Sequence, residues 1–593
     1  MTDFTWRREA PWIALLALVA VLVRALVAQQ IERYMDADTG LVCAMAKHIA
    51  LGERFPVFSY GNDYMAATTA YTAAPFHLAL GTDPRGLAYA QALAFALLGI
   101  PLLYRLAFAM GGRAGAIVGA SYAALGTPTQ LYGTAGMLIG YLDLLLVGAA
   151  LYLLALPRLG GAGCRGAVAI GLVLGLGWTA NPQVASVGGA LAIGWWTHGR
   201  AAAALAGAPS PLRRRARAVT WALALAIAAS LVLAAVRPEA PLFGGVSLAH
   251  GEKYLRRLVV LAAAIAVGAE LALAPSPSRF LARAWSFALG VTVGMAPWLH
   301  AKLVAPEAPM KALLRLEPVR WRERPFEIAS RALEVLVGPR SLDSAATAPW
   351  PAIHTALRTA TVVTLATAAL ALALAQRRQL RALLTLRPTP LDPALVAFAQ
   401  LPLLAFLIGS YPNPPELRYF LAMWLPAIVV LAWAAGRLAR TSRLALVLAS
   451  APLLAGGALQ AACLVIAPPH DERPADRRRL IAHLDREGPR AGYAEYFNVH
   501  DLVYLSDERL LVHPFRRNTN RQPWIGARIL REAPRDVFVL LRAPDDTLDE
   551  CHRLVARHGW KIADRRRFGP YTRYALVLPA ADRGQHPDWP PLR

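Results

Sequence analysis

The stretch from Tyr34 to Gly81, YMDADTGLVCAMAKHIALGERFPVFSYGNDYMAATTAYTAAPFHLALG, decides how the chain is read. It lies between two long apolar runs and is therefore a loop at one face of a membrane. Two carboxylates, Asp36 and Asp38, stand within a few residues of the end of the first run. Charge at that boundary is costly unless it is solvated or used. Two apolar pieces follow, Leu41–Leu51 and Tyr64–Leu80. Each is too short to span and is expected to lie as a helix along the interface, so the loop is expected to roof a site.

The rest of the chain supports a membrane reading. Of 593 residues, 56% are hydrophobic, above the roughly 45–50% usual in soluble domains. The net charge is +24, from 62 Lys and Arg against 38 Asp and Glu. These basic residues fall mostly in short loops between apolar runs, which is a topology signal. No zinc spacing and no basic helix with interleaved aromatics accompanies them, so nucleic acid is not an expected partner. Cys43, Cys164, Cys463 and Cys551 fall in separate segments, which implies neither a disulfide framework nor a zinc site. Arg7 and Arg8 precede the apolar run Trp12–Val27, longer than a signal-peptide core, and are read as leading into an uncleaved first helix.

About thirteen spans are expected: 11–31, 86–109, 114–132, 135–156, 166–180, 182–197, 217–236, 255–274, 280–304, 352–376, 393–410, 419–436 and 444–467. With a cytoplasmic N-terminus, Arg113, Arg158, Arg165, Arg213–Arg215, Arg377, Arg378, Arg381, Arg437, Arg440 and Arg443 all fall in inner loops, as the positive-inside rule requires. The outer loops near Gly126–Thr134 and Thr179–Gln183 carry no charge. The C-terminus then shares the outer face with the Tyr34–Gly81 loop. Residues 1–467 read as the membrane domain, and 468–593 as a small α/β domain. Its expected strands are Asp536–Arg542 and Tyr574–Leu578, and its expected helices Arg477–Glu487 and Thr547–His558.

Several motifs carry a resemblance. The loop reads DADTG at 36–40, GERFP at 52–56, YGNDYM at 60–65 and AYTAAP at 70–75. GYLD stands at 140–143, ELRYF at 416–420, YAEYF at 493–497, LSDER at 505–509 and Asn520-Arg521 near the end. In this order they resemble the membrane glycosyltransferases of the GT-C fold, in the bacterial branch related to protein mannosyltransferases and the lipid A aminoarabinose transferase (glycosyltransferase family 39-like). The resemblance implies an all-α polytopic membrane fold with a small C-terminal α/β extracytoplasmic domain. It also implies inverting transfer of a sugar from a polyprenyl-phosphate carrier to a lipid, glycan or protein acceptor, at the periplasmic face of a bacterial inner membrane. Thr39 and Thr69 stand where that family usually carries glutamates, whereas Asp36, Asp38 and Asp143 are acids in matching positions.

Such a transfer needs a base for the acceptor's proton, a carboxylate near the oxocarbenium-like centre, and cationic or metal neutralisation of the departing phosphate. Asp38 is the expected base, with Asp36 as its partner or, with Asp143, a ligand for a divalent cation, Mg or Mn. The bland alternative for Asp36 and Asp38 is a solvated helix-end pair, or an N-cap for a helix over Thr39–Leu51. Arg418 is the expected phosphate ligand, because a guanidinium matches phosphate oxygens in bidentate fashion. Lys47, Arg320 and Arg322 are further candidates for the phosphate, and Tyr60 for the pocket wall. Tyr496, His500, Asn520 and Arg521 could meet a glycan. Two other functions stay open: a non-catalytic relative that binds lipid-linked sugar, and a transporter or flippase, for which Glu270 is the main mid-span charge.

Overall fold

A computed structural model describes residues 4–61, 65–136, 140–159, 163–205, 277–304, 325–339, 350–385, 389–409, 416–466, 473–494, 498–514, 522–542 and 558–583, with short pieces at 241–242, 246–247, 552 and 555–556. Helix α1 (Trp6–Ala28) turns Ile13, Leu16, Ala20 and Val27 inward. Its outward row, Leu15, Leu18, Leu22 and Leu26, is exposed at helical spacing, as befits a helix apolar all round with lipid on one side.

The loop then folds as two helices. Helix α2 (Ala37–Ala50) starts four residues before the expected Leu41, because Asp36 caps it. Helix α3 (Thr68–Leu80) starts four residues after the expected Tyr64. The segment before it doubles back, with Phe58 bridging Ala66 in antiparallel fashion.

The end of the expected span 114–132 falls in a separate helix, while most of it joins the expected span 86–109 as α4 (Arg85–Leu125), which turns at Gly112. That residue's φ of 65° is outside the helical region and suits glycine. There follow α5 (Pro128–Thr134), α6 (Tyr141–Arg158), α7 (Cys164–Ala180) and α8 (Ala185–Leu205). Next come α9 (Pro277–Gly294), α10 (Pro325–Val337), α11 (Pro351–Ala375), α12 (Pro393–Ala405), α13 (Leu417–Thr441) and α14 (Arg443–Ile466). Six of these, α1, α4, α6, α11, α13 and α14, are long and apolar enough to cross a membrane. The expected spans 217–236 and 255–274 lie outside the described residues, as does Glu270.

Helix α13 is the axis of the bundle. Its apolar window is 89% buried, against 17% for α11. Lipid supplies no hydrophobic drive between helices, so close backbone approach must hold them. Gly111 and Gly115 on α4 face the backbone of Ala432 on α13, and Gly171 and Gly290 bring α7 and α9 together in the same way.

The C-terminal part contains α15 (Arg473–Glu487), β1 (Ala491–Ala494), α16 (His500–Leu505), β2 (Leu511–Pro514), α17 (Pro523–Glu532), β3 (Asp536–Arg542), β4 (Lys561–Phe568) and β5 (Tyr571–Val577). The sheet order is β2-β1-β3-β5-β4. β1 pairs in parallel with β2 and β3, while β5 pairs antiparallel with β3 and β4. The strand expected at Asp536–Arg542 is present, and that expected at Tyr574–Leu578 begins three residues earlier. The helix expected at Thr547–His558 lies mostly outside the described residues.

Candidate functional site

The site is built where α2 meets the first turn of α13. The Thr39 backbone N–H and hydroxyl both donate to Asp36 Oδ1, at 2.8 and 2.9 Å. The threonine that replaces an acid of the resembled family thus fixes the neighbouring acid. Burial, then the charge of Asp38, pushes the Asp36 carboxyl up to about 6; the Thr39 bonds and Arg418 pull the other way.

Helix α13 opens with a tight 3₁₀ segment, Leu417–Met423, in which Phe420 to Met423 are buried. Arg418 is left at the rim. Its Nη1 donates to Asp38 Oδ2 at 2.9 Å, and its Nε lies 2.5 Å from Glu416 Oε2. The pair is half-buried, with 29% of the Arg418 side chain and 22% of the Asp38 side chain exposed. Arg418 also interacts electrostatically with Asp36 and with the Tyr141 phenol at the start of α6. Tyr141, Leu144, Leu421, Trp424 and Leu425 line a narrow, mostly apolar crevice.

Asp143 sits in the first turn of α6, where the Thr68 hydroxyl at the start of α3 donates to it. The roof therefore meets the start of α13 through Asp38 and the start of α6 through Thr68. Thr69, the other threonine that replaces a family acid, is buried.

The structure sorts the remaining candidates. Lys47 is eleven residues along α2 from Asp36, roughly 16 Å by helical rise, and pairs with Asp507 at 2.9 Å and Glu508 at 3.2 Å. The Tyr60 hydroxyl meets His48 Nδ1 at 2.8 Å, and His48 Nε2 meets Glu508 Oε1 at 2.9 Å. Lys47 and Tyr60 thus belong to a second cluster, closed over by Trp524, whose ring centroid lies 4.8 Å from that of Tyr60. Arg320, Arg322, Tyr496, Asn520 and Arg521 lie outside the described residues. His500 is buried and bonds Gln522 at 3.1 Å.

Contacts from the C-terminal part also hold α2. Buried Arg477 pairs with Asp501 at 3.1 Å and donates to the Met35 carbonyl at 3.3 Å, one residue before Asp36. A methyl on Gly40 would lie 2.5 Å from the Asp501 backbone nitrogen, so α2 lies directly on the start of α16. Asp507 and Glu508 hold φ of 57° and 62°, a conformation that costs non-glycine residues energy and persists where surroundings enforce it. The C-terminal part therefore grips α2 at both ends. The signal available in the sequence was the LSDER motif.

The cation expected at Asp36 and Asp143 was tested against the donors present. Asp36 is engaged by Thr39, Asp38 by Arg418 and Asp143 by Thr68. Among the described residues no group of three or more His, Cys, Asp or Glu could hold a metal ion. As arranged, these donors do not assemble a cation site.

Compared with solved structures, the chain is similar to ArnT from Cupriavidus metallidurans bound to undecaprenyl phosphate. The TM-score is 0.51 and the identity 13%, over 95% of this chain and 98% of that one. The chain has the GT-C fold. The apo state of the same protein gives a TM-score of 0.48 and 14% identity over 96% and 98%. An Archaeoglobus fulgidus oligosaccharyltransferase gives 0.40 and 11% over 88% and 67%. No family model and no curated protein matches the sequence. At such identities the likeness speaks for the fold, and in this GT-C chain the chemistry must be argued from its own residues.

Proposed function

We propose that this protein is an inverting glycosyltransferase that moves a sugar from a polyprenyl-phosphate carrier to an envelope acceptor. The observation that carries the reading is the half-buried Asp38–Arg418 pair, set between the roof and the outer end of the central helix. An acceptor hydroxyl attacks the anomeric carbon while its proton passes to Asp38. The bond from that carbon to the phosphate oxygen breaks, and polyprenyl phosphate leaves. Arg418 receives the phosphate, which competes with Asp38 for the guanidinium and so frees the carboxylate as the charge it must meet arrives. The likeness in fold to a protein crystallised with undecaprenyl phosphate supports a lipid-linked donor. The distribution of arginines supports a cytoplasmic N-terminus, with the site and residues 468–593 on the periplasmic side of an inner membrane.

The test is transfer from a polyprenyl-phosphate sugar donor in proteoliposomes. Asp38→Asn is expected to lower the rate by about 10²–10⁴, the usual worth of a general base, with donor binding retained. Unchanged transfer would remove Asp38 from the mechanism. A wild-type protein that moves the lipid-linked sugar across the bilayer without transferring it would be a transporter. One that binds the donor and does neither would be a non-catalytic relative.

A further inference from the structure

A second cavity lies at the other end of the central helix. Helices α4, α11, α13 and α14 line this partly open cavity of about 470 Å³. Its walls are mostly small or apolar, including Ala368, Ala371, Leu431, Ala449 and Leu453. Arg437 is the one charged side chain among the described lining residues, and no carboxylate joins it. Arg437 is nineteen residues beyond Arg418 on α13, which places it roughly 30 Å away along the axis, at the opposite membrane surface. Its guanidinium lies over the Trp433 ring at 4.4 Å. Beside the groove, Leu370 and Leu374 of α11 and Val447 and Leu448 of α14 are exposed, so lipid reaches its flanks.

A second observation concerns charge. Directly after α11 comes a short helix, Arg377–Leu384, which packs Leu380 and Leu383 on the core and leaves Arg377, Arg378 and Arg381 exposed. Arg440 and Arg443 are exposed at the adjoining ends of α13 and α14. An apolar slot thus ends beneath a collar of arginines at one membrane surface. Long apolar chains fill such slots, and anionic headgroups are drawn to such collars.

We infer that this groove binds an anionic glycerophospholipid of the leaflet opposite the Asp38–Arg418 site, with one acyl chain among α11, α13 and α14 and the phosphate on Arg437. Arginine supplies the bidentate phosphate contact, and the absence of a lining carboxylate leaves a zwitterionic headgroup's cation without a partner there. This site is independent of the transfer reaction, and so is its test.

Detergent-purified full-length protein would be titrated by native mass spectrometry with phosphatidylglycerol, phosphatidylcholine and undecaprenyl phosphate. A photoactivatable phosphatidylglycerol would map the contact. Phosphatidylglycerol is expected to bind about tenfold tighter than phosphatidylcholine and to cross-link to α11 or α14. Arg437→Gln should abolish that preference, and Ala371→Trp or Ala449→Trp should block the cross-link, with melting temperature reporting whether each variant is folded. Equal binding of the two phospholipids, or a cross-link insensitive to both folded tryptophan variants, would overturn the proposal. Undecaprenyl phosphate displacing phosphatidylglycerol from these helices would overturn the choice of lipid.

Discussion

Arg24 and Arg418 stand near the same membrane face, and the protein uses them in opposite ways. Arg24 is fully buried and surrounded by neutral oxygen: Nε donates to Thr134 Oγ1 at 2.8 Å, Nη1 to the carbonyls of Ala124 at 2.8 Å and Ala20 at 3.2 Å, and Nη2 to that of Ala123 at 3.2 Å. Its guanidinium also lies over the Phe95 ring at 3.8 Å. The carbonyls of Ala123 and Ala124 end α4, where the helix dipole is negative and unpaired acceptors collect. Arg24 thereby locks α1, α4 and α5, with four of its five N–H donors on fixed neutral acceptors. Arg418 instead faces two carboxylates, Asp38 and Glu416, and keeps 29% of its side chain exposed. Its partners can be exchanged for another anion. Arg24 thus spends its donors on fixed neutral groups, whereas Arg418 meets charge that another anion could replace.

The contrast can be broken by substitution. Asp38→Asn, described above, should have the largest effect, on transfer and not on folding. Arg24→Met should do the reverse. It leaves the Thr134 hydroxyl and buried carbonyls short of a donor, which should cost about 3 kcal/mol of stability, read as a lower melting temperature in detergent with the turnover of folded protein unchanged. If Arg24→Met proved stable and inactive, the distinction would fail. Arg418→Lys keeps the charge and loses the fork; the donor KM is expected to rise about tenfold, while the same change at Arg24 should show in stability.

Smaller effects concern the roof. Glu508→Gln removes the acid shared by Lys47 and His48 but leaves Asp507 on Lys47. For so partly exposed a pair the cost should be about 1 kcal/mol, with the protease sensitivity of the C-terminal part as the measurement. Burial pushes the Glu508 carboxyl up, but His48 and Lys47 outweigh it and hold it below its ordinary range. Its contribution is therefore present at neutral pH and lost as pH falls through that lowered value. Asp36 has the opposite sign. Its carboxyl, raised to about 6 from 3.8, favours the folded state fully below pH 3.8 and loses that contribution as pH rises through about 6. If the charged form assists transfer, the rate should climb through pH 6, and Asp36→Asn should erase that step. A flat profile in the unmodified protein would separate Asp36 from the chemistry.

Some of this was legible in the residue order because it depends on periodicity and on local chemistry. Apolar runs such as Trp12–Val27 must be helices in lipid, since only a helix satisfies every backbone group there. Asp36 is a suitable N-cap wherever its helix goes, and the valine, leucine and phenylalanine of Asp536–Arg542 read as a strand in isolation. The motif order also indicated the GT-C fold and picked out the residues that meet at Arg418. The tertiary structure alone decided the partners. Lys47 and Tyr60 are close in sequence to Asp38, yet they turn to Glu508 and His48, because a helix of fourteen residues carries its two ends to different neighbours. Arg477 and Asp501 reach α2 from more than 400 positions away. Nothing in the first span by itself pairs Arg24, whose acceptors come from α4 and α5 as well as α1. Local order sets what a segment can form; which charge meets which is fixed by contacts between segments that the order does not contain.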